Sequence, residues 1–104
     1  MNLTDHVFEL YEALPWQQAG ELKGQSTRAA ISIPSNIAEG SSRRSEKDMH
    51  RFMEIALGSA YELETQTLIL QRRSWAPQAR IVPILQSLEE QQKMLHAFMA
   101  RLKK

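Results

Sequence analysis

Apolar residues recur along this chain at three- and four-residue intervals, and no segment alternates apolar and polar residues for long. That period belongs to helices rather than strands. Leu3, Val7, Leu10 and Leu14 follow one another at +4, +3 and +4, which predicts a first helix from about Thr4 to Leu14. Asp5, Glu9 and Glu12 form a separate acidic stripe on it. Pro15 ends this helix, because the residue before a proline is pushed away from α geometry. A second helix is expected from about Gln18 to Gly40. Leu22, Ser26, Ala29, Ala30, Ile33 and Ile37 share one of its faces. Pro34 falls inside it and predicts a kink, and Gly40 reads as its C-terminal stop.

A third helix begins after Ser45, where Ser45-Glu46-Lys47-Asp48 resembles a capping box with Asp in the usual Glu place. It runs to about Arg73, with Met49, Phe52, Ala56, Ala60, Leu63 and Leu70 as its core stripe. Ser74-Trp75-Ala76-Pro77 is a turn. A fourth helix runs to about Lys103 and presents Ile81, Leu85, Leu88, Gln92, Leu95, Met99 and Leu102 on one face. Pro83 leaves its start anywhere from Pro77 to Val82. Four amphipathic helices with short connections predict an all-α, antiparallel up-down-up-down bundle, a single domain over residues 1–104.

The third helix carries more apolar surface than one neighbour needs. Leu57, Tyr61 and Leu68 form a second seam, roughly opposite Ile55. A central helix touching two neighbours explains this, as does a seam facing another subunit. Ile31 and Ala38, almost opposite Ile33 on the second helix, tilt the reading toward an oligomer. A polar row also flanks the second helix: Gln25, Arg28, Ser32, Asn36 and Glu39. Gly58, Ser59, Glu62 and Gln66 make a comparable row on the third. If the rows meet, Arg28 or Arg43 pairs with Glu39 or Glu62, since an Arg fork can hold a carboxylate with two bonds. The structural polar network would then comprise Arg28, Asn36, Glu39 and Glu62. Gly58 lets another backbone approach closely. A solvated charged face is the plain alternative.

The chain has 104 residues, with 13 Lys and Arg against 12 Asp and Glu, a net charge of +1. That balance is unlike a strongly basic nucleic-acid module or a polybasic membrane anchor. Hydrophobic residues at 42% and charged residues at 24% mark a folded chain. The absence of cysteine excludes disulfides, thiolate metal sites and Cys nucleophiles. No apolar run is long enough to span a membrane, and the polar, acidic start is unlike a signal peptide. A cytoplasmic location is therefore expected.

The one basic cluster is Arg43, Arg44, Lys47 and Arg51, at the start of the third helix. Residues 1–39 carry five acids and two bases, so the positive charge lies in the remainder. On an assembled ring such a weak patch would be multiplied, and these four residues are the candidates for contacting RNA or DNA. No aromatic platform is interleaved with them, so base stacking is not suggested. His50 and Glu54 are one turn apart, but no ligand spacing supports a metal site with His6 or His96. Glu39 and Glu62 could converge as an acid–base pair, yet no nucleophile accompanies them. No catalytic residue, metal or cofactor is expected.

The stretch Thr27-Arg28-Ala29-Ala30-Ile31-Ser32-Ile33-Pro34-Ser35-Asn36-Ile37-Ala38-Glu39-Gly40 is specific. With Arg43, Phe52, Ile55-Ala56, Gly58-Ser59 and Glu62-Leu63-Glu64, it resembles the bacterial four-helix bundle family encoded in intervening sequences of 23S ribosomal RNA genes. The matching blocks cover about residues 21–72. The resemblance implies an antiparallel bundle that assembles into a ring, commonly a pentamer. It also implies kinship with the accessory proteins of diversity-generating retroelements, which bind nucleic acid and a reverse transcriptase. The positions it carries over are Arg28, Asn36, Glu39, Gly40, Arg43, Gly58, Ser59 and Glu62, and it assigns none of them catalysis. The expected protein is a non-enzymatic, ring-forming scaffold or adaptor, with a nucleic-acid-binding accessory protein as the alternative. Its expected partners are further copies of itself, then RNA, DNA or another protein, and no membrane.

Overall fold

Prolines and serines set the limits of the four helices. The computed structural model describes residues 2–102. Helix α1 spans Asn2–Glu12, α2 Trp16–Ser41, α3 Glu46–Arg73 and α4 Gln78–Ala100. Pro15 and Pro77 are the N-cap residues of α2 and α4, both extended. A proline there loses no helical hydrogen bond, because the first N–H groups of a helix have no internal partner. Helix α2 therefore starts two residues before the expected Gln18. Pro34 and Pro83 lie inside α2 and α4, and both helices continue through them. Helix α4 ends at Ala100, with Arg101 as its C-cap, short of the expected end near Lys103, which itself lies outside the described residues.

Helix α3 begins where the capping pattern predicts. The Ser45 hydroxyl accepts the Asp48 N–H at 3.0 Å, and Glu46 and Asp48 place negative charge in the first turn. Replacing Ser45 with alanine should cost about 1 kcal/mol, read as a fall of several degrees in the melting temperature. At the other end Ser74 takes the left-handed conformation, φ 56°, and the Trp75 N–H returns to the Leu70 carbonyl at 3.1 Å. Arg72 and Arg73 in the last turn suit the negative end of the helix dipole.

The packing is cyclic: α1 on α2, α2 on α3, α3 on α4, and α4 back on α1. The main core draws on all four helices and includes Val7, Leu10, Ile33, Leu63, Ile84 and Leu88. A second cluster of Met53, Ala56, Leu57, Leu95 and Met99, with Ile37 against it, draws on α2, α3 and α4 alone. Helix α1 has 11 residues, while α2, α3 and α4 have 26, 28 and 23.

Two details differ from the sequence expectation. The α3 stripe is Met53, Ala56, Ala60, Leu63, Thr67 and Leu70, all buried, whereas Met49 and Phe52 are half-buried. Its steps of +3 and +4 keep one line along the helix. Gly40 is not a left-handed stop, because no glycine has positive φ. It lies within α2, where a Cβ would sit 2.8 Å from Phe52 Cβ and 2.9 Å from Met53 Cε. Its bareness lets α2 approach α3.

Candidate functional site

The two polar rows meet through their small residues. Between α2 and α3, the Ser59 hydroxyl donates to Ser32 Oγ at 2.8 Å, and within α2 Asn36 Nδ2 donates to the Ser32 carbonyl and hydroxyl at 2.8 and 2.9 Å. Deeper in the core, the Ser26 hydroxyl donates to Gln66 Oε1 at 2.9 Å. Tyr11 of α1 stands 2.8 Å from Ser26 Oγ. Since Ser26 spends its proton on Gln66, the phenol donates to Ser26. Burial pushes the Tyr11 phenol above its ordinary pKa. A buried chain of this kind is costly when half satisfied and fixes register when complete. Tyr11 escaped the sequence reading because its hydroxyl position is set only when α1 folds onto α2.

The charged members of the rows lie outside this core. Glu39 pairs with Arg43 one turn ahead, and both are exposed. Arg28 and Glu62 are exposed and line a shallow groove of about 250 Å³ with Gln25, Ser32 and Ser59. Among the described residues no ion pair joins Arg28 to Glu39 or Glu62.

Arg43, Arg44, Lys47 and Arg51 are all exposed around the α2–α3 connection. An aromatic ring does stand among them. The Arg43 guanidinium lies 5.0 Å from the Phe52 ring centre and that of Arg51 6.0 Å, within cation–π range. Arg51 adjoins Phe52 in sequence, but Arg43 reaches it only because residues 42–45 turn the chain back.

Of the apolar seam on α3, Leu57 is buried within the chain, packed with Met53 and Leu95. Tyr61 and Leu68 are exposed, as are Ile69 and, further round the helix, Ile55. Gly58 lies on this outer face, and nothing stands within 4 Å of where its Cβ would be. Among the described residues no backbone makes the close approach that the glycine allows. Next to it, α3 and α4 enclose an open groove of about 650 Å³ lined by Leu57, Tyr61, Met99 and Leu102 among others. Two polar pairs border it: Tyr61 Oη and His96 Nε2 at 3.0 Å, and His50 Nδ1 and Glu54 Oε1 at 3.3 Å. His50 and Glu54 thus meet as a pair. His6 lies across the molecule beside Arg80 and Pro83. Among the described residues no group of three His, Asp or Glu could hold a metal ion. None of the described helices is long and apolar enough to cross a membrane.

No curated protein matches the chain. The α2–α3 polar contacts and Gly40 fall in the two sequence blocks that carry the family resemblance. The family model of the 23S rRNA-intervening sequence protein matches residues 1–97, and this chain belongs to that family.

Proposed function

We propose that the protein is a non-enzymatic helical scaffold or adaptor of the cytoplasm that assembles into a ring of identical chains, a homopentamer. Each chain is one domain over residues 1–104, an antiparallel up-down bundle. The direction of the helices is supported by pairs whose numbers run oppositely: Ser26 with Gln66 and Ser32 with Ser59, then Tyr61 with His96 and Gln71 with Gln78.

The outer face of α3 carries the ring reading. It holds Ile55, Tyr61, Leu68 and Ile69, each about two-fifths exposed or slightly more, around the uncovered Gly58. A glycine inside a helix costs about 1 kcal/mol against alanine, and no neighbour among the described residues requires this one. A second chain packed over it would supply the requirement. Light scattering on a sizing column tests this. The expected mass is near five times 12.0 kDa, and Leu68→Glu should reduce it to that of one chain that keeps the helical circular dichroism of the wild type. A wild-type protein running as a single 12.0 kDa chain overturns the ring.

The second reading is an accessory protein that binds RNA or DNA. It is favoured by the two guanidiniums held over Phe52 beside exposed Arg44 and Lys47. Held side chains lose less freedom on meeting phosphate. Excess absorbance at 260 nm in the same peak, with affinity falling steeply in salt, would put this reading first.

A further inference from the structure

The shallow groove between α2 and α3 has opposite charges on its two walls. Two hydrogen-bonded crossings set its width. Ser26 of α2 meets Gln66 of α3 at 2.9 Å, and Ser32 of α2 meets Ser59 of α3 at 2.8 Å. Arg28 lies between Ser26 and Ser32 along α2, and Glu62 lies between Ser59 and Gln66 along α3. The guanidinium and the carboxylate therefore belong to the same level of the groove that both of them line. Among the described residues no ion pair joins them. Neither they nor Gln25, which also lines the groove, has a hydrogen-bond partner among the described residues.

The groove also holds an unspent donor. Ser32 Oγ accepts from the Ser59 hydroxyl at 2.8 Å and from Asn36 Nδ2 at 2.9 Å. The Asn36 amide cannot be turned round, because the same Nδ2 donates to the Ser32 carbonyl, which only accepts. A hydroxyl has two lone pairs and one hydrogen. Both lone pairs of Ser32 are taken, and no described residue accepts its hydrogen. The α2 wall thus supplies donors, the Ser32 hydroxyl and the Arg28 guanidinium. The α3 wall supplies acceptors, the Glu62 carboxylate and the oxygen of Ser59, whose own hydrogen goes to Ser32. Among the described residues Ala29 alone is apolar in the lining.

We infer that this groove is a binding site for a free α-amino acid in its zwitterionic form. The ligand carboxylate belongs at the α2 wall, where an Arg fork can hold it with two bonds and Ser32 gives another. The ligand ammonium belongs at the α3 wall, against Glu62. An α-amino acid carries both charges on one carbon, so it can satisfy both walls of a narrow groove at once. A plain anion meets Glu62 and a plain cation meets Arg28, and a like charge across an interface is costly. A peptide terminus carries only one of the two charges. With about 250 Å³ and one alanine in the lining, the groove suits a small or polar side chain. The site lies within one chain and depends on neither the ring nor the nucleic-acid reading.

Heteronuclear NMR of the 104-residue protein, titrated with L-serine, tests this. Saturable shifts are expected in the side-chain amides of Gln25 and Asn36, on either side of the Arg28 and Glu62 level. Acetate and ethylammonium, each with one of the two charges, are the controls at equal ionic strength. Each should bind at least about tenfold more weakly than L-serine, as loss of a charged hydrogen bond implies. Arg28→Gln and Glu62→Gln should each weaken L-serine by a similar factor. Both side chains are exposed, so the melting curves of these variants should match the wild type. The titration is repeated on Leu68→Glu, where binding is expected whether or not the wild type forms a ring. Binding by that variant alone places the site in the chain and beneath a neighbouring copy. No saturable shift in either protein overturns the proposal, and shows that Arg28 and Glu62 are simply solvated or close on each other. Acetate that binds as well as L-serine, or Glu62→Gln that binds as well as the wild type, overturns it too, because the groove then reads a carboxylate alone.

Discussion

Replacing Gly40 with alanine should destabilise the protein by about 1–2 kcal/mol, although the same change inside a free helix gains nearly 1 kcal/mol. The backbone at Gly40 is helical and would accept any residue. The obstacle is α3. The new Cβ would lie 2.8 Å from Phe52 Cβ and 2.9 Å from Met53 Cε. The methionine end can swing aside. Phe52 Cβ cannot, because it is fixed to the α3 backbone, so α2 and α3 must separate. Overpacking of this kind costs about 1–3 kcal/mol, and the valine variant should lose more. Gly58 is the control, since its Cβ would enter open space. In the Leu68→Glu background, where no second chain covers it, Gly58→Ala should raise the stability by up to about 1 kcal/mol. Thermal unfolding followed by circular dichroism reads both, at about 4–8 °C per kcal/mol for a domain of this size. A Gly40→Ala protein as stable as the wild type would mean that the α2–α3 approach is looser than these distances.

The same two glycines mark what the sequence could say. Ser45 with Asp48, the proline boundaries and the +3/+4 steps are local signals, and the helices they predict are the helices observed. Met53 was missed because Met49 and Phe52 form a stripe of equal apolarity one residue away. The choice between them depends on Gly40, which faces both Phe52 and Met53 from another helix. Leu57 and Tyr61 are one turn apart and equally apolar to the eye, yet one is buried and the other 43% exposed. Only the direction of α4 separates them. The basic residues were legible as a cluster, while their arrangement around Phe52 required the turn at residues 42–45. Periodicity tells which way a side chain points relative to its own helix, and a functional surface depends on what stands opposite.

Replacing Ser26 with alanine should be the most damaging change to the polar core, at about 2–4 kcal/mol. The hydroxyl is fully buried and serves two partners, accepting from Tyr11 at 2.8 Å and donating to Gln66 at 2.9 Å. Its removal leaves a buried phenol and a buried amide oxygen without partners, and each stranded group costs about 1–3 kcal/mol. Removing the stranded groups as well should recover much of the loss. The triple variant Ser26→Ala, Tyr11→Phe, Gln66→Leu should therefore be more stable than Ser26→Ala alone. If it is less stable, the network contributes through packing rather than hydrogen bonding. A pH measurement isolates the Tyr11 end. Burial holds its pKa above the ordinary 10.0. Below about pH 10 the phenol is protonated in both folded and unfolded chains and adds no pH dependence. Above about pH 10 the unfolded chain releases its proton first and binds fewer protons than the folded chain, so stability falls as pH rises. Tyr11→Phe removes that contribution. The stability difference between wild type and Tyr11→Phe should be constant up to about pH 10 and then shift against the wild type. A difference that stays flat into alkaline solution would mean that water reaches the phenol, and that α1 does not close over Ser26.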